Sequence, residues 1–389
     1  MIWSMRPSRP VVLVALATAF SLLGDQTLYS VLPTCYTELG LMPYQVGLIL
    51  SVNRWIRLLT NHLAERLCRR YSLTLLLMLS LTLGAATTVV YGTVSLFSIL
   101  LGARILWGLS WSFIRQVGLM TVVESAPEDT IGRMMGFYNG IHRLGSVAGN
   151  LAGAVGYDLI GFALTLTIFG GLSLMGVPLG ILSRWRLPHV ARGLPGLEAP
   201  AWRDVGLLAC GFVVGCVGAG LMMSTLGMVL KASLGNSLTV GGLVIGVATL
   251  NGMLLASRWV TDSLCAPVLG ALSDRIGRRR GALLFFGLGS LALLTASRMP
   301  ETAPLVVLVL VFFACGVGAT VVMVSEAGLR GARAVASYVT ASDMGSAAGP
   351  MLGWMTLQLY LPTHLIFVIG GGLYGIAALV SLRVFRKHG

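Results

Sequence analysis

Long apolar runs dominate the chain, near residues 11–33, 44–64, 72–92, 95–123, 134–156, 160–183, 205–231, 239–272, 281–297, 304–325, 334–358 and 362–384. Each approaches or exceeds the roughly 20 apolar residues that an α-helix needs to cross a bilayer. The runs are continuous and lack the period-two alternation of a membrane barrel, so strands are not expected. The pattern therefore predicts twelve helices joined by short polar connections. The run at 239–272 is the longest and predicts a helix that is tilted, kinked near Pro267 or extended beyond the hydrocarbon. The longest polar segment, 184–204, contains Pro188, Pro195 and Pro200. It reads as a linker between two six-helix halves, 1–183 and 205–389.

Composition supports a membrane protein. Hydrophobic residues make up 56% of the chain and charged residues 11%, against about 25% charged in soluble domains. A soluble fold of this size has no means of hiding so much apolar surface. The net charge of +13 raises nucleic-acid binding as a function, but the basic residues form short clusters between apolar runs and no single soluble face. Nineteen of the 27 Lys and Arg residues fall on one side of the predicted topology, only Lys231 and Arg298 on the other, and six inside predicted helices. By the positive-inside rule this places both termini in the cytoplasm and favours an even number of spans. The six cysteines show no metal or redox spacing. No cleavable signal peptide is evident, and the first apolar run reads as the first span.

The halves repeat one another. Residues 61–70 read Asn-His-Leu-Ala-Glu-Arg-Leu-Cys-Arg-Arg, and residues 270–279 read Gly-Ala-Leu-Ser-Asp-Arg-Ile-Gly-Arg-Arg. At a constant offset of 200, Arg133, Tyr138, Gly145, Ser146, Ala148, Gly149 and Gly153 recur as Arg333, Tyr338, Gly345, Ser346, Ala348, Gly349 and Gly353. Glycines spaced by four make a smooth helix ridge that admits close backbone approach. The ridge serves either static packing or a gating surface, and the two uses are compatible. Pro350 predicts a kink in the eleventh helix only.

These residues resemble the major facilitator superfamily of secondary transporters. Residues 270–279 fit its G-x-L-A-D-R-x-G-R-R loop with Ser273 in place of Ala, whereas Asn61, Glu65 and Cys68 depart from it in the first copy. Arg104-Ile-Leu-Trp-Gly108 is similar to the family's R-x-x-x-G element. Gly345-x-x-x-Gly349-Pro350-x-x-Gly353 is similar to a glycine-proline motif that antiporters usually carry in helix 5, where this chain has Asn150. The resemblance implies an all-α membrane fold of two pseudo-symmetric six-helix bundles. It also implies that Glu65, Arg66, Asp274, Arg275 and the residues Gly145, Gly149, Gly349 and Pro350 take part in gating. Helices 1, 4, 7 and 10 would line a central cavity, with 2, 5, 8 and 11 flanking it.

An ionisable residue at the bilayer centre costs about 2.5–3.5 kcal/mol on insertion scales, so intramembrane charges usually mark a pathway or a pair. Arg54, Arg57, Arg104, Arg115, Arg143 and Arg258 lie within predicted spans, together with Asp25, Asp262 and Asp343. Arg104, Gly108, Trp111 and Arg115 share one stripe of the fourth helix, and Asp25, Gln26 and Tyr29 lie together on the first. Arginine is a good bidentate ligand for carboxylate or phosphate, so the excess of arginine favours an anionic or zwitterionic solute. Tyr29, Arg54, Arg57, Arg143, Arg258 and Asp262 are the candidate substrate contacts. Structural pairing competes with that role: Arg258 and Asp262 are spaced i,i+4, and Arg143 and Asp343 occupy equivalent repeat positions.

Asp25 is the first candidate for proton coupling, with Arg104 as partner and Asp343 as the second carboxylate. A dry wall favours the protonated carboxyl and a nearby guanidinium favours the carboxylate, so alternating exposure switches the proton. His142 reads as a packed, hydrogen-bonding residue. Glu124 and Glu326, at the cytoplasmic ends of the fourth and tenth helices, are expected to be exposed or paired with loop arginines.

The expectation is a secondary transporter in a bacterial inner membrane, monomeric, driven by a proton gradient, with no cofactor, metal or nucleic-acid partner. Export is favoured over uptake. A multidrug/proton antiporter is the alternative, and a non-transporting sensor or assembly factor on the same fold is the alternative of another class. A membrane-embedded enzyme is disfavoured, because no H-E-x-x-H, G-x-S-x-G or nucleotide-binding loop occurs.

Overall fold

A computed structural model of the chain describes residues 7–185, 187, 204–299 and 302–385. Most of the linker at 184–204, with Arg186, Arg192 and Arg203, lies outside the described residues. So do Arg6, Arg386 and Lys387.

The described residues form twelve long helices: α1 (Arg9–Cys35), α2 (Pro43–Cys68), α3 (Leu73–Thr93), α4 (Phe97–Ser125), α5 (Ile131–Ile160), α6 (Phe162–Arg184, with a turn at Leu174 and Met175), α7 (Val205–Leu234), α8 (Val247–Ile276), α9 (Arg278–Ala296), α10 (Thr302–Leu329), α11 (Ala332–Gln358) and α12 (Leu365–Val384). Eight are apolar and long enough to cross a membrane by composition alone. The other four, α2, α5, α8 and α11, occupy the same places in both halves and carry most of the intramembrane charges.

The run at 239–272 departs from expectation. Its start is a β-hairpin, β1 (Ser237–Val240) paired antiparallel with β2 (Leu243–Gly246). Gly241 and Gly242 sit at φ +57° and +86°, the left-handed pair that a tight two-residue hairpin turn requires. The helix then starts at Val247 and runs 30 residues through Pro267. The length of that apolar run is thus explained by the hairpin, because apolar continuity does not separate a short strand from a helix.

The two basic repeats also differ from simple loops. In the first, α2 continues to Cys68, so most of residues 61–70 are helical. In the second, a single residue, Gly277 at φ +86°, separates α8 from α9. Such a link suits glycine, which has no Cβ to clash there.

By internal contacts the described residues fall into two compact units, those within 1–28 and 55–196 and those within 29–54 and 197–389. Packing is duplicated: α3 packs on α4 and α6 in the first unit, and α9 packs on α10 and α12 in the second. The first unit's core includes Val14, Leu77, Leu81, Ile114, Val117 and Tyr138. Large apolar side chains such as Leu159, Leu264, Val268 and Leu379 face outward. Such an exterior suits hydrocarbon and would be a liability in water.

Candidate functional site

The deepest charges lie in the first unit. Arg104 Nη1 on α4 donates to Asp25 Oδ1 on α1 at 2.5 Å, with both side chains buried. The guanidinium also lies over Tyr91 and Trp107, 5.9 and 5.6 Å from their ring centroids. Asp25 Oδ2 accepts from Gln26 Nε2 at 2.9 Å, and Gln26 Oε1 accepts from Asn150 Nδ2 at 3.2 Å. Asn150 Nδ2 also donates to Ser146 O at 2.8 Å. A polar chain therefore runs from α4 through α1 to α5. Breaking a buried pair by removing one partner is costly, because the remaining charge has nowhere to go. Sequence reasoning found Asp25 and Arg104 from charge and depth. It took Asn150 only as a departure from a proline motif; an amide in the middle of an apolar helix was the available signal.

Further along α4, Trp107 and Trp111 stack with centroids 5.6 Å apart and planes 9° from parallel. Arg104 and Trp107 are buried, whereas Trp111 and Arg115 are partly accessible. The predicted stripe on α4 thus grades from a dry end to a wetter one. On α5, His142 Nδ1 lies 3.0 Å from Tyr138 O, with Arg143 beside it, both partly accessible.

Two candidate substrate contacts, Tyr29 and Arg54, fall in the second unit. Arg54 Nη1 donates to Ala219 O at 2.7 Å and to Ser346 O at 2.8 Å, and the guanidinium lies 5.2 Å from the Tyr29 ring centroid. Tyr29 Oη donates to Leu50 O at 3.2 Å. Ser51 donates to Ala347 O. Asn251 Nδ2 donates to Ser30 O at 2.7 Å, and Lys231 Nζ to Thr34 O at 2.5 Å. The segment Tyr29–Arg54 is therefore docked on α7, α8 and α11. Ala219 lies in a wider π-type stretch, Gly215–Met222, a kind of helix irregularity common at functional places. Arg57, half-buried one turn beyond Arg54, belongs to the first unit.

Arg258 on α8 sets Nη1 3.0 Å from Met223 Sδ and its guanidinium 4.9 Å from the Trp259 ring centroid. Asp262 follows one turn later, half-buried. Asp343 is half-buried on α11 and makes no hydrogen bond or ion pair among the described residues.

The glycine ridges are occupied inside each unit. A Cβ at Gly145 would come 2.3 Å from Ala19 O, and one at Gly149 2.7 Å from Leu23 O, so α5 lies against α1. A Cβ at Gly349 would come 2.3 Å from Cys216 O, so α11 lies against the π-type stretch of α7. Pro350 is buried within a continuous α11. In the first basic repeat Glu65 pairs with Arg69, just past the end of α2, at 2.5 Å, and Arg66 is exposed. In the second, Asp274 and Arg275 are exposed.

Glu124 and Glu326 are both paired and largely buried. Glu124 Oε2 accepts from Arg184 Nη2 at 2.7 Å, with side chains only 3% and 2% exposed. Glu326 Oε1 accepts from Arg330 Nη2 at 2.7 Å. Arg330 also pairs with Asp204 and donates to Val384 O at 2.8 Å. Burial works against the Arg330 charge, but the hydrogen bonds and charges of Glu326 and Asp204 outweigh it and raise its pKa. Both glutamates thus take the arginine partners expected of them, Arg184 from the last turn of α6 and Arg330 from the turn after α10, and these pairs tie helix ends together.

Twelve long helices, a duplicated packing scheme and a charged pair buried between two apolar helices define an integral membrane protein. The sequence profile of the Major Facilitator Superfamily matches residues 14–264, and the chain belongs to that family. Solved structures agree over nearly the whole length. One is a bacterial homologue of the human lysosomal transporter Spinster in an inward-facing, occupied conformation, with TM-score 0.79, 14% identity, and coverage of 97% of this chain and 96% of that one. Another is the nucleoside transporter NupG, with TM-score 0.78, 12% identity, and coverage of 97% and 99%. At such identities the likeness establishes the fold alone. No curated protein sequence matched.

Proposed function

We propose that this chain is a proton-coupled secondary transporter of a small anionic or zwitterionic solute, working by alternating access and favouring export. The observation that carries the reading is the buried pair of Asp25 and Arg104, 2.5 Å apart on α1 and α4. A proton on Asp25 removes the charge that holds Arg104, and the hydrogen bonds through Gln26 and Asn150 pass the change to α5. An ion pair that forms and breaks with protonation gives two arrangements of packed helices, which is what a coupled transporter needs. The excess of intramembrane arginine supports an anionic or zwitterionic solute. The basic clusters support cytoplasmic termini, and the proposed location is a bacterial inner membrane.

The test is counterflow in proteoliposomes with a panel of labelled acidic, zwitterionic and cationic solutes, with and without an imposed pH gradient. Acidic or zwitterionic solutes should exchange, and the pH gradient should drive their accumulation. Asp25→Asn should retain exchange but lose the response to the gradient. Unaltered proton coupling in that variant would remove Asp25 from the mechanism. Exchange of cations alone would favour the multidrug antiporter.

A further inference from the structure

Arg115 was assigned no role by charge pairing, and its surroundings give it one. It lies on α4 ten residues before the helix ends at Ser125, about 15 Å along the axis at 1.5 Å per residue. It is partly accessible and makes no hydrogen bond or ion pair among the described residues. A guanidinium at that depth with no protein acceptor has to be met by water or by a ligand.

The neighbouring helix fixes what else faces the same space. A Cβ at Gly118 would come 2.3 Å from Tyr138 Oη, so α4 and α5 touch there. One turn from Gly118 on α4 is Arg115, and one turn from Tyr138 on α5 is His142, whose ring lies 5.0 Å from the Tyr138 ring. Arg115 and Arg143 are both within electrostatic reach of the His142 imidazole. Trp111, one turn from Arg115 in the other direction, is partly accessible and stacks on Trp107. Two guanidiniums therefore act on one imidazole beside the α4–α5 contact.

We propose that Arg115 and Arg143, with His142 beside them, form an anion-recognition site within the first unit, taking the carboxylate or phosphate group of a small organic anion whose apolar part rests on Trp111. The proposal rests on the transporter reading and names the substrate class and a recognition residue for it. Fork-shaped guanidiniums suit planar or tetrahedral oxyanions, and an indole face suits a flat apolar group. Arg104 lies further along the same stripe, so an anion at Arg115 is separated from the Asp25 pair by the two stacked tryptophans.

The full chain in detergent is titrated at constant ionic strength with benzoate, citrate and inorganic phosphate, and with tetraphenylphosphonium as a cationic probe. Tryptophan fluorescence and melting temperature are followed. At least one anion should quench saturably and raise the melting temperature. Arg115→Gln should weaken it about 10- to 100-fold, the span expected for a lost hydrogen bond to a charged group. Arg115→Lys should weaken it less, and Arg70→Gln, in the basic connection after α2, should leave it unchanged. Wild-type anion affinity in Arg115→Gln overturns the proposal, as does saturable binding of tetraphenylphosphonium with none of the three anions, or of no probe at all. Should Arg115→Gln show no melting transition, Arg143→Gln and Arg115→Lys carry the comparison, and unchanged affinity in both overturns it. Counterflow with undiminished anion affinity in Arg115→Gln sinks this site while leaving the transporter standing. Arg115-dependent anion binding without any counterflow sinks transport and leaves the site.

Discussion

Helices α4 and α10 hold equivalent places in the two halves and end alike, but their middles differ. Each carries a buried glutamate near its C-terminus, Glu124 and Glu326, paired with an arginine at 2.7 Å. Upstream, α4 carries Arg104 and Arg115, whereas α10 has no charged residue before Glu326. The shared end pairs tie helix termini together in both units and belong to the common scaffold. The unshared middle charges cannot be explained by the scaffold, because α10 packs without them. Charge that only one copy of a duplicated fold retains is the better lead to function.

The largest effect should come from the unshared pair. Asp25→Ala leaves the Arg104 guanidinium buried without its carboxylate and should destabilise the protein by about 3–5 kcal/mol, read as a large fall in melting temperature in detergent. Asp25→Ala combined with Arg104→Met should recover most of that stability while remaining unresponsive to a pH gradient. A double variant as unstable as the single one would mean that the pair is not the source of the loss.

The shared end pairs should behave as scaffold. Glu124→Gln should cost about 2 kcal/mol, the scale of a hydrogen bond to a charged group, and Glu326→Gln about half as much, because Arg330 keeps Asp204 and Val384 O. Neither should alter the dependence of transport on a pH gradient. A lost gradient response in either variant would erase the distinction between end and middle charges.

The smallest change in stability is expected at the second basic repeat. Asp274 is exposed, so Asp274→Ala should shift stability by no more than about 0.5 kcal/mol, yet slow counterflow in proteoliposomes while membrane insertion continues. Unchanged transport kinetics would reduce that repeat to a topological anchor.

Much of this was legible in the sequence, for physical reasons. Long apolar runs have one stable outcome in a bilayer, so twelve helices and their order could be read directly. The expected partnership of Asp25 and Arg104 is realised because both are buried charges on helices that pack together. The hairpin at Ser237–Gly246 is not legible from apolarity, because a short run such as Leu243–Ile245 fits a strand and a helix equally well, and only the Gly241-Gly242 turn distinguishes them. Sequence left open whether Glu124 and Glu326 are exposed or paired, because an arginine at the end of an apolar run can snorkel outward or fold back onto a carboxylate.

The sequence by itself determined that the protein spans a membrane, is duplicated and keeps charges where they are expensive. These follow from hydropathy, from the 200-residue offset and from the cost of desolvation, all of which act on residues one at a time or in short windows. Beyond the Asp25–Arg104 pair, only the tertiary structure decided which partners those charges take. Arg54 meets the carbonyls of Ala219 and Ser346 on distant helices, Arg258 meets the Met223 sulfur, and Arg115 remains without a protein acceptor among the described residues. Side-chain pairing depends on which helix faces touch, and that is set by packing between segments far apart in the chain.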